Sequence, residues 1–247
     1  CNSWIDITPS DRLNEDMLFE DRQGFEKAIN GVYVGLVDRS LYGRNLSAGV
    51  IDLMAQYYKY GNGSDFNSML GAYKYEEQNV KDVFQVIWEK AYALILNCNI
   101  IIEKCDENKA GLSPVWKGAI KGEALALRAM LHFDMLRLFG PLTSELDKES
   151  IPYQTNSDQT VTPLLSGSEV VGLILDDLKN AVGLLKDTDP YFVEEEFSDT
   201  DLNYRRFRMN YFAAKGLMAR VQLWGGDKEK AAATAKEVIA EGQAEGA

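Results

Sequence analysis

The chain has 247 residues, 46% of them hydrophobic and 26% charged, enough for one large domain or two small ones with a sizeable core. A formal net charge of −12 repels nucleic-acid phosphates and argues against a nucleic-acid partner. No apolar run approaches the roughly 18 residues that a membrane-spanning helix needs.

Residues 2–20 (NSWIDITPSDRLNEDMLFE) are polar, contain Pro9 and lack a helical period. They predict an extended tether over 1–20, ahead of a helical domain over 21–247. A first helix is expected over about 22–40, with Phe25, Ala28, Ile29, Val32 and Leu36 on one face. Gly31 and Gly35 weaken it by about 1 kcal/mol each and point to close approach by a neighbour. A second helix is expected over about 43–58, followed by an aperiodic loop to residue 78. A long apolar helix over about 80–107 carries Val83, Phe84, Ile87, Trp88, Ala91, Leu94, Ile95, Cys98 and Ile102, with Asn79 and Asp82 as a loose capping pair.

The next helix, in KGEALALRAMLHFDMLRLFGPL (121–142), is apolar on two opposite sides. One stripe runs Ile120, Ala124, Leu127, Leu131, Met135 and Leu138; the other runs Leu125, Ala129, Phe133, Leu136 and Phe139. Two stripes predict a helix sandwiched in a layered array. Gly140-Pro141 should end it through a left-handed glycine cap. After a loop over 141–167, Ser166 and Glu169 form a capping box for a helix burying Val171, Ile174, Leu178, Ala181 and Leu185. A second loop, 187–208, carries the acidic run Glu194-Glu195-Glu196.

The last two helices place Ala214, Leu217, Met218, Val221 and Trp224 against Ala231, Ala235, Val238 and Ile239. Gly225-Gly226-Asp227 joins them with a glycine C-cap and an aspartate N-cap, as in a tetratricopeptide-like hairpin. No strand-like alternation is sustained, so the fold is predicted to be all-α.

Little in the chain suits catalysis. His132 is the only histidine and lies between the two apolar stripes, with no Cys or second His at ligand spacing, so neither a catalytic triad nor a zinc site built on histidine pairs is expected; a packing or hydrogen-bonding role is expected for it. No phosphate-cradling glycine loop or EF-hand loop is present, and no cofactor or metal is expected, although acidic loop oxygens leave calcium open. Glu76-Glu77 and the 194–196 run read as solvated charge. Cys98 and Cys105 lie about 10 Å apart along one helix, too far for a disulfide, and read as small buried hydrophobes. Glu123 and Arg128 read as structural.

The polar segment that suits a ligand is AQYYKYGNGSDFNSMLGAYKYEEQ (55–78). Tyr57, Tyr58, Tyr60, Tyr73 and Tyr75 crowd into it with Asn62, Asp65 and Asn67. A sugar offers apolar C–H faces and a rim of hydroxyls, which flat rings and planar amide or carboxylate groups complement. The alternative reading is that these tyrosines plug the ends of the helices on either side of the loop.

Several segments resemble the SusD/RagB family: GEA-LALRA followed by FGP, AAKGLMARVQLWGGDKEKAAATAKEVI, Phe25–Leu36 (FEKAINGVYVGL), Trp88–Asn99 (WEKAYALILNCN) and Cys1 at the start. The resemblance runs from Cys1 to about Ile239 and implies a tetratricopeptide-like, non-enzymatic surface lipoprotein of the outer membrane. Such a protein binds oligosaccharides and delivers them to a SusC-like TonB-dependent transporter. It also implies that Cys1 is the acylated residue left after signal-peptide removal, anchored stably by more than one acyl chain. Family members are usually much longer, so a C-terminal part that completes the ligand face is expected to be absent from this chain. Alternatives are the same fold binding oligopeptides, or a helical-repeat scaffold for proteins.

Overall fold

A computed structural model describes residues 16–58, 63, 65–158, 160–193, 197–198 and 204–245. Its elements are α1 (Arg22–Leu36), α2 (Val50–Met54), α3 (Phe66–Gly71), α4 (Gln78–Glu107), α5 (Pro114–Phe139), β1 (Glu149–Pro152), β2 (Leu164–Ser166), α6 (Gly167–Thr188), α7 (Tyr211–Trp224) and α8 (Lys228–Glu245). The long helices pack in the order α1, α4, α5, α6, α7, α8, so α5 lies between α4 and α6. Both of its apolar stripes are covered, with Leu127, Leu131 and Met135 from one and Ala129, Phe133 and Leu136 from the other in the core. Neighbours run antiparallel: Phe84 near the start of α4 meets Phe139 at the end of α5, and Asp106 near the end of α4 pairs with Lys121 near the start of α5.

Small residues set the closest approaches. A Cβ at Gly118 would lie 2.5 Å from Thr188, and one at Gly122 2.8 Å from Leu185, so α6 presses directly on α5 there. Gly35 likewise admits Leu94 of α4, whereas Gly31 faces open space. At the other end of the array, Gly226 (φ +92) and the Asp227 side chain, which accepts from Lys230 N, turn α7 into α8. Of the expected α8 face, Ala231 is buried and Ala235 and Val238 are half-buried, but Ile239 is exposed, and Thr234 is buried with them through its hydrogen bond to Gln222.

Other expectations change locally. α1 stops at Leu36 because the chain turns sharply under Gly43, whose added Cβ would meet Val37 O at 2.1 Å. The expected 43–58 helix is cut to Val50–Met54, and Gly49 precedes it in a conformation (φ −111, ψ −103) that is neither helical nor extended. The expected 59–78 loop contains α3, because the Asp65 carboxylate accepts from Asn67 N and Ser68 N at its N-terminus. α4 begins at Gln78 with no side-chain cap; Asn79 does not serve as one, and Asp82 accepts from Gln78. α5 begins earlier than its apolar pattern, at Pro114, where the Ser113 side chain accepts from Trp116 N. Gly140 is extended (φ −84, ψ −179) rather than left-handed; its role is clearance, since a Cβ would lie 2.5 Å from Leu136 O.

The 141–167 loop holds a short antiparallel pair, β1–β2, with Glu149 opposite Ser166 and Pro152 opposite Leu164. Residues 16–18 form a helical turn, and Phe19 is buried against the Phe25 ring, so this end of the expected tether is folded onto α1. Residues 1–15, with Cys1, and the 194–196 run lie outside the described residues.

Candidate functional site

Two buried ion networks on α5 fix the segments around it. Arg128 makes a bidentate pair with Asp177 of α6 (2.6 and 2.7 Å) and donates to Asn99 of α4 and to Thr155 O. Tyr153 Oη donates to the same Asp177. Asn99 holds the carbonyls of Gln154 and Asn156, and Ser157 binds Glu103. The 153–157 stretch has no regular structure, yet its backbone groups find partners on α4 and α5.

One turn further along α5, His132 is fully buried and stacks on Tyr153 at 3.9 Å. Its Nδ1 faces Arg128 O at 3.0 Å and its Nε2 accepts from Gln154 N at 3.1 Å, an arrangement that suits the neutral ring. Burial pushes its pKa down to about 3. The second network joins Glu123 to Arg205, Arg208 and the Tyr33 hydroxyl, and Arg205 in turn clamps Asp189. Although burial alone would raise the Glu123 pKa, the two guanidiniums hold it below its ordinary value. Glu123 and Arg128 are therefore structural clamps.

The aromatic residues form a different arrangement, at the start of α4 and the end of α5. Ring centroids follow one another from Tyr73 to Tyr75 (6.2 Å), Phe84 (5.8 Å), Phe139 (6.1 Å), Trp88 (5.0 Å) and Tyr92 (4.5 Å). Tyr73 and Tyr75 are 45% and 44% exposed, and Phe84, Trp88, Tyr92 and Phe139 are half-buried. From Phe84 to Tyr92 the row rises about 12 Å along α4. Its inner end is fixed to the core, where Tyr92 Oη donates to Pro152 O and its ring meets His132 edge-on.

At the outer end, Gln56 (φ 59) and Tyr73 (φ 56) both take the left-handed conformation, which costs a non-glycine residue about 1–2 kcal/mol. They are held there mutually: Tyr73 Oη donates to Met54 O at 2.7 Å and accepts from Gln56 Nε2 at 3.3 Å. Backbone strain of this kind tends to collect at functional sites.

Of the sequence candidates, Tyr73 and Tyr75 are thus brought together. Tyr57 and Tyr58 are exposed at 79% and 49% beside the Gln56 turn, and Asn67 is exposed on α3. Asp65 is occupied as the α3 cap. Tyr60 and Asn62 lie outside the described residues. Phe84, Trp88, Tyr92 and Phe139 were read only as helix-face apolar positions or not singled out for a ligand. The available signal was that Phe84, Trp88 and Tyr92 recur at intervals of four, which places three rings on one helical stripe.

Residues 3–223 match the SusD-like family described as "Starch-binding associating with outer membrane". The chain belongs to the SusD-like family. A SusD-like protein of Formosa agariphila is 24% identical over 96% of this chain and 43% of its own length. Another from the same organism is 35% identical over 38% of this chain and 17% of its own length. Among solved structures, a SusD superfamily protein of Bacteroides vulgatus aligns with a TM-score of 0.70 at 21% identity, over 92% of this chain and 48% of that one. A SusD-like carbohydrate binding protein of the same species aligns at 0.68 and 22%, over 90% and 45%. The SusD-like chain described here therefore spans less than half the length of these relatives.

Proposed function

We propose that this chain binds an oligosaccharide without turning it over, at the cell surface, and passes it to a SusC-like TonB-dependent transporter. The observation that carries the reading is the row of edge-to-face and tilted rings from Tyr73 to Tyr92, open at its Tyr73–Tyr75 end. The exposed Tyr73 and Tyr75 rings offer flat apolar surface to the C–H face of a sugar, and the exposed Tyr57, Tyr58 and Asn67 of the same 55–78 segment carry groups that can hydrogen-bond its hydroxyls. The family's description supports a glycan as ligand and the outer membrane as its place of work. The SusD/RagB resemblance adds Cys1 as the lipid anchor.

A glycan array set against an oligopeptide panel, probed with the full-length protein, tests the reading. Binding to at least one oligosaccharide is expected. Capture of peptides alone would replace the ligand class.

A further inference from the structure

A cavity of about 380 Å³ opens at the opposite end of α5, between the start of that helix, α1 and the residues that lead into α7. This volume lies within the range of small-molecule sites. Its wall residue Glu123 and the platform residue Phe139 are separated by 16 positions of one helix, about 24 Å, so the cavity is not part of the aromatic row. We infer that this cavity is a second binding site, for a single neutral sugar ring, and this inference does not rest on the function assigned to the row.

Three features argue for that ligand. The ionisable wall groups with full charge balance: Glu26 and Glu123 against Arg205 and Arg208. A carboxylate, phosphate or ammonium ligand would unbalance a set already paired, whereas a neutral one leaves the Glu123 clamp intact. The walls also offer flat apolar surface. Trp116 is braced by the Arg22 guanidinium at 4.5 Å and the Phe197 ring at 4.5 Å, while Phe207 and Tyr204 are 70% and 62% exposed at the rim.

The third feature is the polar groups left over. Arg208 spends Nε on Glu123 and Nη1 on Asn30 Oδ1. Among the described residues, its Nη2, the Asn30 amide nitrogen and the Tyr204 hydroxyl have no partner, leaving planar donors and a phenol beside the aromatic surface. A neutral ring with an apolar face and a hydroxyl rim matches all three. A fatty acyl chain would leave the donors unsatisfied, and a zwitterion would meet neutralised charges.

The test uses the full chain and five neutral probes: glucose, galactose, mannose, xylose and N-acetylglucosamine, with glucuronate as the charged analogue. Each is titrated to tens of millimolar while the indole N–H resonance of Trp116, assigned through Trp116→Phe, is followed by NMR. At least one neutral sugar is expected to move that resonance saturably. Phe207→Ala and Tyr204→Ala, both at exposed positions and checked by circular dichroism, should weaken the response several-fold. Tyr75→Ala, on the remote row, should leave it unchanged. The inference is overturned if no neutral sugar moves Trp116, if glucuronate binds better than every neutral sugar, or if both rim variants respond like the parent chain.

Discussion

The Arg128 network and the tyrosine segment lie at different heights along the same α4–α5 pair, and they are held by opposite means. Around Arg128, a bidentate ion pair, Asn99, His132 and Tyr153 satisfy one another out of contact with water. Around Tyr73, one phenol hydroxyl and one amide hold two left-handed residues at the surface. The first region is over-determined and leaves no group free to meet a ligand. The second keeps its rings uncovered and invests backbone strain in doing so. Rigidity in the one gives the other a fixed base, because Tyr92 and Pro152 connect them.

The largest expected effect breaks the first region. Arg128→Ala strands the Asp177 carboxylate, whose side chain is only 10% exposed, and should cost about 3–5 kcal/mol in urea unfolding. A loss below about 1 kcal/mol, the range of exposed pairs, would mean that the network does not hold the array together.

Acid probes the same region next. The His132 pKa is depressed to about 3, from an unfolded value near 6.5. Its contribution to stability is complete above about pH 6.5 and is lost as pH falls toward 3, at up to about 1.4 kcal/mol per pH unit. Replacing it by an uncharged residue, His132→Gln, should flatten the acid limb of stability against pH relative to the parent chain. An unchanged slope would show that His132 is not the group that titrates.

The smallest expected effect belongs to the second region. Tyr73→Phe removes the bonds to Met54 O and Gln56 while keeping the ring, and should cost about 1 kcal/mol or less. Its diagnostic readout is faster amide exchange confined to residues 54–57 and 71–75, with α5 unaffected.

How legible each region was follows from the same difference. Two apolar stripes on α5 specified a sandwiched helix, and the Ser166–Glu169 box and Gly225–Asp227 turn fixed helix ends, because these signals act within a few residues. The aromatic row was half visible. Clustered tyrosines pointed to the segment, but Phe139 joins from 64 positions beyond Tyr75, through antiparallel packing that no local spacing encodes. The 153–157 stretch was unreadable for a related reason, since its order comes from Asn99, Arg128 and His132 rather than from its own residues. α3 was missed because a single aspartate cap, Asp65, does what a longer apolar period usually does.

The central claim is that the row of rings is the oligosaccharide platform. Calorimetry on the full-length protein tests it most directly, using the oligosaccharide that the array identifies with the parent, Tyr75→Ala and Trp88→Ala. Each removed ring is expected to cost on the order of 1 kcal/mol, a several-fold weaker affinity, with the circular dichroism unchanged. Parent-like affinity in both variants would contradict the claim and place the oligosaccharide elsewhere on the protein.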